Sequence, residues 1–163
     1  MLDVLELKRQ LLDIVYAHEQ KHNDYNEDDK YRYDPGNTEN LQYFYGKYDK
    51  DNSMITLCTE IKGLRYEERS RHLDEICEKD EVLIKRDPDN PFNSNNFEVF
   101  TVDGKSLGSL SADLCNRIAS LYDLGYVVIL RSEAYHIEKL EDRSRYVKQG
   151  VLFIKMQLKF VGV

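Results

Sequence analysis

Asp87–Leu110, DPDNPFNSNNFEVFTVDGKSLGSL, is the stretch on which the reading of the fold turns. Its first part cannot be helical, because Pro88 and Pro91 fix their own φ and push Asp87 and Asn90 toward extended geometry. Asn93, Asn95 and Asn96 follow closely, and side-chain amides favour turns by satisfying nearby backbone groups. Phe97–Val102 then has strand composition, and Asp103-Gly104 is a strong hairpin signal. The returning strand, Lys105 to Leu110, is interrupted by Gly108, which marks a point where something comes close to the backbone.

Outward from this hairpin, the pattern is mostly β. Met54 to Ile61 alternates as a strand with one buried face. Gly63 breaks it, residues 67–79 allow a short helix with Leu73, Ile76 and Cys77 inward, and Glu81–Arg86 is the next strand. Ser111–Leu124 is an amphipathic helix with Ser111 as N-cap, Asp113 in its first turn and Gly125 as a left-handed stop. Residues 126–137 read as one long strand and 138–150 as a charged loop. Val151–Val161 alternates, with Leu152, Ile154, Met156, Leu158 and Phe160 on a core face and Phe153, Lys155, Gln157 and Lys159 on a wetter one. About six strands with attached helices in residues 53–163 predict an α+β, mainly β fold built on a small closed or nearly closed barrel.

Residues 1–52 read as a separate N-terminal part. A helix over 2–22 has a broad apolar stripe at 3.6-residue spacing, and His18 and His22 at its end read as an exposed pair with no third metal ligand. An acidic, tyrosine-rich extension follows, with a short strand at 41–45 that ends near Gly46. Six of the twelve tyrosines lie between Tyr25 and Tyr48, as in a partner-binding arm or an extension whose rings pack on the second part. The formal charge of −7 gathers here: residues 1–52 hold 12 Asp/Glu against 7 Lys/Arg.

Three well-separated cysteines suit a reducing cytoplasm and give no zinc spacing; no membrane-spanning run or signal-peptide layout is present. Neither a nucleophile elbow, a metal-binding H-E-x-x-H nor a phosphate loop occurs. His72 with Cys77, and Asp87 with Asp89, are explained by a helical segment and a proline-bounded turn. No enzyme activity, cofactor or metal is expected.

Four segments in order resemble the HIRAN domain family: Gly63-Leu64-Arg65-Tyr66, Leu83 to Pro88, Asn90-Pro91-Phe92-Asn93-Ser94-Asn95-Asn96, and Gly104 to Leu110. The resemblance spans roughly residues 53–163 and implies an OB-like or SH3-like barrel. It further implies a pocket for a 3′ end of single-stranded DNA, in which Tyr66 and Phe92 stack bases, Arg65 meets phosphate and Asn93 reads the terminus. Arg86, Asn90 and Ser109 stand in the matching motifs and complete the expected site. Asn93 replaces a usual aspartate, and Ser109 stands where an aromatic is common. A plainer reading has Tyr66 covering the barrel end, Phe92 anchoring its loop in the core, and the asparagines capping turns.

The expected function is therefore a non-catalytic module that binds single-stranded or damaged DNA in repair or replication, beside a helicase- or nuclease-type partner. The alternative is a regulatory factor whose acidic N-terminal region binds a basic nucleic-acid-binding protein or imitates nucleic acid.

Overall fold

The computed structural model describes residues 3–23, 43–64, 66, 69–139 and 150–163. Within them lie three α-helices, α1 (Val4–Asn23), α2 (Arg69–His72) and α3 (Ala112–Asp123). Eight strands accompany them: β1 (Tyr45–Asp49), β2 (Met54–Glu60), β3 (Glu81–Asp87), β4 (Asn96–Thr101), β5 (Ser106–Ser109), β6 (Val127–Ile129), β7 (Ser132–Glu138) and β8 (Val151–Phe160). The sheet is antiparallel, in the order β1-β2-β8-β7-β3-β4-β5, with β6 beside β8. Its far ends do not form a continuous ladder. Instead β5 meets the continuation of β2 at one point, where Lys62 N–H donates to Ser109 O at 2.8 Å and Ser109 N–H returns to Lys62 O at 3.0 Å. The expected α+β, mainly β architecture is thus a strongly curved sheet, almost a barrel.

Gly108 makes that junction sterically feasible. A Cβ at this position would lie 2.3 Å from the Lys62 carbonyl oxygen, and its φ of +132° is one that side-chain-bearing residues avoid. The close approach expected of Gly108 is to the chain's own backbone.

The core gathers Ile55, Leu57, Phe97, Val99, Leu107, Leu152, Ile154 and Met156 from the strands, with Leu114, Ile118 and Leu121 from α3. Ser111 caps α3 by accepting from Leu114 N–H at 3.3 Å, and Gly125 follows the helix with φ +84°. Leu11, Ile14 and Val15 of α1 belong to the same core, and β1 pairs with β2 along five positions. The division expected at residue 52 falls in the turn between these two strands.

Several elements differ from their expected form. The 126–137 segment is two strands, because one extra residue is inserted against β8 between Ile129 and Glu133 and another between Ala134 and His136. The 67–79 helix reduces to α2 and a 3₁₀ turn at Leu73–Glu75. Gly46 lies inside β1 rather than ending a strand, and α1 crosses so closely that a Cβ there would sit 2.1 Å from Val15 O. Phe153, placed by its alternation on the wetter face, is fully buried. It meets Tyr43 and Phe44, whose rings cover that side, and Tyr43 also stacks on His136 at 3.8 Å. Tyr45 and Tyr48 likewise pack, on His22 and Phe160. The rest of the tyrosine-rich segment, residues 24–42, lies outside the described residues, as do 140–149 of the charged loop.

His18 is buried, not exposed, with 5% of its surface accessible. Its Nδ1 lies 2.9 Å from Ile14 O and its Nε2 3.2 Å from Thr59 Oγ1. A carbonyl only accepts, so Nδ1 carries the proton and Nε2 accepts from the threonine. Burial holds this imidazole below its ordinary value of 6.5, and does the same to His136. Burial also pushes the Cys58 thiol up to about 12, so it behaves as a small apolar side chain. Among the described residues no helix is long and apolar enough to cross a membrane, and no cluster of His, Cys, Asp or Glu could hold a metal ion.

Two outcomes follow for stability. With a depressed folded pKa, the unfolded chain takes up protons that the folded one refuses, so stability is full above about pH 7 and falls as pH drops below 6.5. Each histidine contributes up to about 1.4 kcal/mol per pH unit. Melting temperatures between pH 7.5 and 5.5 should decline, and His18→Gln should flatten that decline. Separately, Gly108→Ala should cost about 2 kcal/mol or more through the clash with Lys62 O, measured as a lowered urea midpoint.

Candidate nucleic-acid interface

The loop between β3 and β4 is a chain of asparagine-capped turns. Asn90 Oδ1 accepts from the backbone N–H groups of Phe92 at 3.0 Å and Asn93 at 3.1 Å, while its Nδ2 donates to Asp87 Oδ2 at 3.1 Å. Asn93 Oδ1 accepts from Asn95 N–H at 3.0 Å, and Asn93 and Asn95 both donate to Asn116 Oδ1 on α3, each at 3.2 Å. These bonds hold the tip of the loop, and Phe92 on it is 95% exposed. The core-anchor reading of Phe92 is therefore wrong. Nothing covers the ring.

Across from this loop, the segment after β2 brings Lys62, Gly63, Tyr66 and Arg69 to the same cleft, which has a volume of about 710 Å³. Asn90, Pro91, Phe92 and Asn93 form the other wall, and Asn96, Ser109, Leu110 and Ala112 contribute β4, β5 and the start of α3. Tyr66 is half exposed here, with 53% of its surface accessible. Two aromatic rings from separate parts of the chain thus line one open cleft. Of the expected site residues, the structure gathers Tyr66, Asn90, Phe92, Asn93 and Ser109. Arg65 lies outside the described residues.

Arg86 is placed elsewhere. Its guanidinium grips Asp123 at the end of α3 through Nε at 3.0 Å and Nη2 at 3.1 Å, donates to the Ser94 and Asn96 carbonyls, and lies over the Phe97 ring. It braces β3 and the loop against α3 instead of facing a ligand. Of the cations near it in sequence, Lys85 sits over Phe100 and is not among the residues lining the cleft. Arg69 reaches the cleft, but its fork is engaged by Ser106 Oγ, Gly63 O and Glu98 Oε1 at 3.1 to 3.2 Å. Lys62, which sequence reasoning passed over, pairs with Glu60 at 3.5 Å, and such exposed pairs contribute little. Its signal was its place directly before the Gly63 turn.

Asn96 ties the floor together. It is 7% exposed and donates from Nδ2 to Asp87 Oδ2 at 3.1 Å and to Ser109 Oγ at 3.2 Å. Behind it the Cys115 thiol, kept protonated by burial, contacts the Leu110 carbonyl at 3.6 Å. Asp87 therefore anchors both the loop, through Asn90, and the floor, through Asn96.

The HIRAN domain family model matches residues 40–155, and the chain belongs to that family. No curated protein matches it. It is similar in structure to the HIRAN domain of human HLTF, at 19% identity over 64% of this chain and 76% of that one, with a TM-score of 0.46. A protein from Lactobacillus plantarum is similar at 18% identity over 61% and 90%, TM-score 0.48. The HLTF HIRAN domain in its DNA-bound conformation is similar at 21% identity over 64% and 75%, TM-score 0.43.

Asn90→Ala should release both loop amides while leaving the core intact. We expect faster hydrogen exchange at Phe92 and Asn93, with a stability loss of about 1 kcal/mol. Unchanged exchange at those two amides would show that Asn90 does not hold the loop.

Proposed function

We propose that the chain is a non-catalytic module that binds single-stranded DNA at an end, with bases stacked on Phe92 and Tyr66. The observation that carries this reading is the exposure of Phe92, on a braced loop, beside a second exposed ring in one cleft. Burying a phenylalanine stabilises a fold by roughly 1.5–3 kcal/mol, which this position forgoes. Flat rings beside an open cleft suit bases, since every base has a π-face and stacking contributes about 1–3 kcal/mol each. The HLTF HIRAN domain has a DNA-bound conformation, and the family membership makes DNA the natural ligand class. A non-catalytic role suits a lining that, among the described residues, has no carboxylate, histidine or cysteine for proton transfer or nucleophilic attack. A 3′ end exposed in repair or replication, delivered by a helicase- or nuclease-type partner, is the substrate that the family resemblance favours.

Fluorescence anisotropy with labelled single strands and duplexes of one sequence tests this. Single strands should bind more tightly. Phe92→Ala should weaken them by about 1–3 kcal/mol, roughly five- to 150-fold, with stability changed by no more than about 0.5 kcal/mol. With Lys62 and Arg69 as the cations among the described lining residues, affinity should fall with salt with a log–log slope no steeper than about −1.5. Full-strength binding by Phe92→Ala would remove the proposal.

A further inference from the structure

The hydrogen-bonding directions in the cleft specify which strand end it would take, given the reading above. Among the described residues its lining contains no carboxylate, and Lys62, whose pair with Glu60 is exposed and weak, brings positive charge, while Arg69 is held by Glu98. Asn96 settles the role of Ser109. Its Nδ2 faces a carboxylate oxygen of Asp87 and so must be the nitrogen, and at 3.2 Å from Ser109 Oγ it can only donate. Ser109 Oγ is thus the acceptor in that contact, and its own proton is left to donate from a residue that lines the cleft. Asn93 behaves similarly: Oδ1 takes the Asn95 N–H, and Nδ2 spends one of its two protons on Asn116. Lys62 and Ser109 are direct antiparallel partners, which sends both side chains to the same face of the sheet. A side chain ending in an ammonium and one ending in a donor hydroxyl therefore start from neighbouring positions on one face.

A terminal hydroxyl is read best by an acceptor, above all a carboxylate, whereas a terminal phosphate dianion calls for donors and positive charge. We propose that the cleft prefers a DNA strand end carrying a phosphate monoester, at its 3′ or 5′ position. The phosphate lies against Lys62 and the Ser109 hydroxyl, and the terminal base lies on the aromatic walls.

The test uses the full chain and three internally labelled oligonucleotides of one sequence, with hydroxyls at both ends, a 3′-phosphate or a 5′-phosphate. One phosphorylated strand should bind about tenfold more tightly than the hydroxyl strand, and which one identifies the polarity. Lys62→Gln and Ser109→Ala should each shrink that ratio to about twofold or less. Equal binding of all three, or preference for hydroxyl ends, overturns this inference and leaves single-strand binding standing. A ratio unchanged in both variants also overturns it, because the phosphate would then be held elsewhere. Failure of all three to bind removes the inference together with the reading on which it rests.

Discussion

Two backbone hydrogen bonds, between Lys62 and Ser109, are the constraint on which the rest depends. They tie β5, one edge strand of the sheet, to the continuation of β2, and an open edge is a site for unwanted pairing. The junction requires Gly108, since any side chain there would occupy the space of the Lys62 carbonyl. It also determines where the chain goes next. Leaving β2 by this route, the backbone turns at Gly63 and carries Tyr66 and Arg69 back over the end of the barrel. The wall of the cleft is thus a consequence of how the sheet is closed.

The opposite wall is fastened to the same point by side chains. Ser109 at the junction accepts from Asn96, Asn96 donates to Asp87, and Asp87 accepts from Asn90, whose other amide atom caps the Phe92 turn. This network is short and mostly neutral, and each of these amides has a partner. Partly satisfied buried polar groups are costly, so such a chain favours one loop conformation over its alternatives. Arg86 strengthens it from the outside by clamping Asp123 and the loop carbonyls. An exposed phenylalanine on an unbraced loop would fold inward onto any apolar surface; here the bracing keeps it out.

Much of this was readable in the residues. The hairpin at Asp103-Gly104, the Ser111 cap, the Gly125 stop and the alternation of β8 from Ile154 onward are local signals, and each is where the residues place it. Gly108 announced a close approach without saying to what. The misreadings concern partners distant in sequence. His18 looked like the exposed mate of His22, yet Thr59, 41 residues away, supplies the hydrogen bond that lets it be buried. Arg86 looked like a ligand contact, and its partner Asp123 is 37 residues away. The inserted residues before β7 and at Tyr135 break no composition rule, because a bulge is defined against the opposing strand. Motif order points to the rings of Tyr66 and Phe92, but the exposure of Phe92 depends on a bracing network that no single segment contains.

The charge balance gives the cleft its character. The chain carries a formal charge of −7, and long-range attraction of a polyanion is not available to it. Arg69 and Arg86 are committed within the fold to Glu98 and Asp123, so positive charge at the site is local. Recognition must then come from contacts made at short range, namely ring faces, amides, a hydroxyl and an ammonium. A long strand laid across an acidic surface gains repulsion with every added phosphate, while an end inserted into one cleft keeps the gain and avoids most of that cost. On the proposed reading, the geometry and the charge favour the terminus of a strand over its interior.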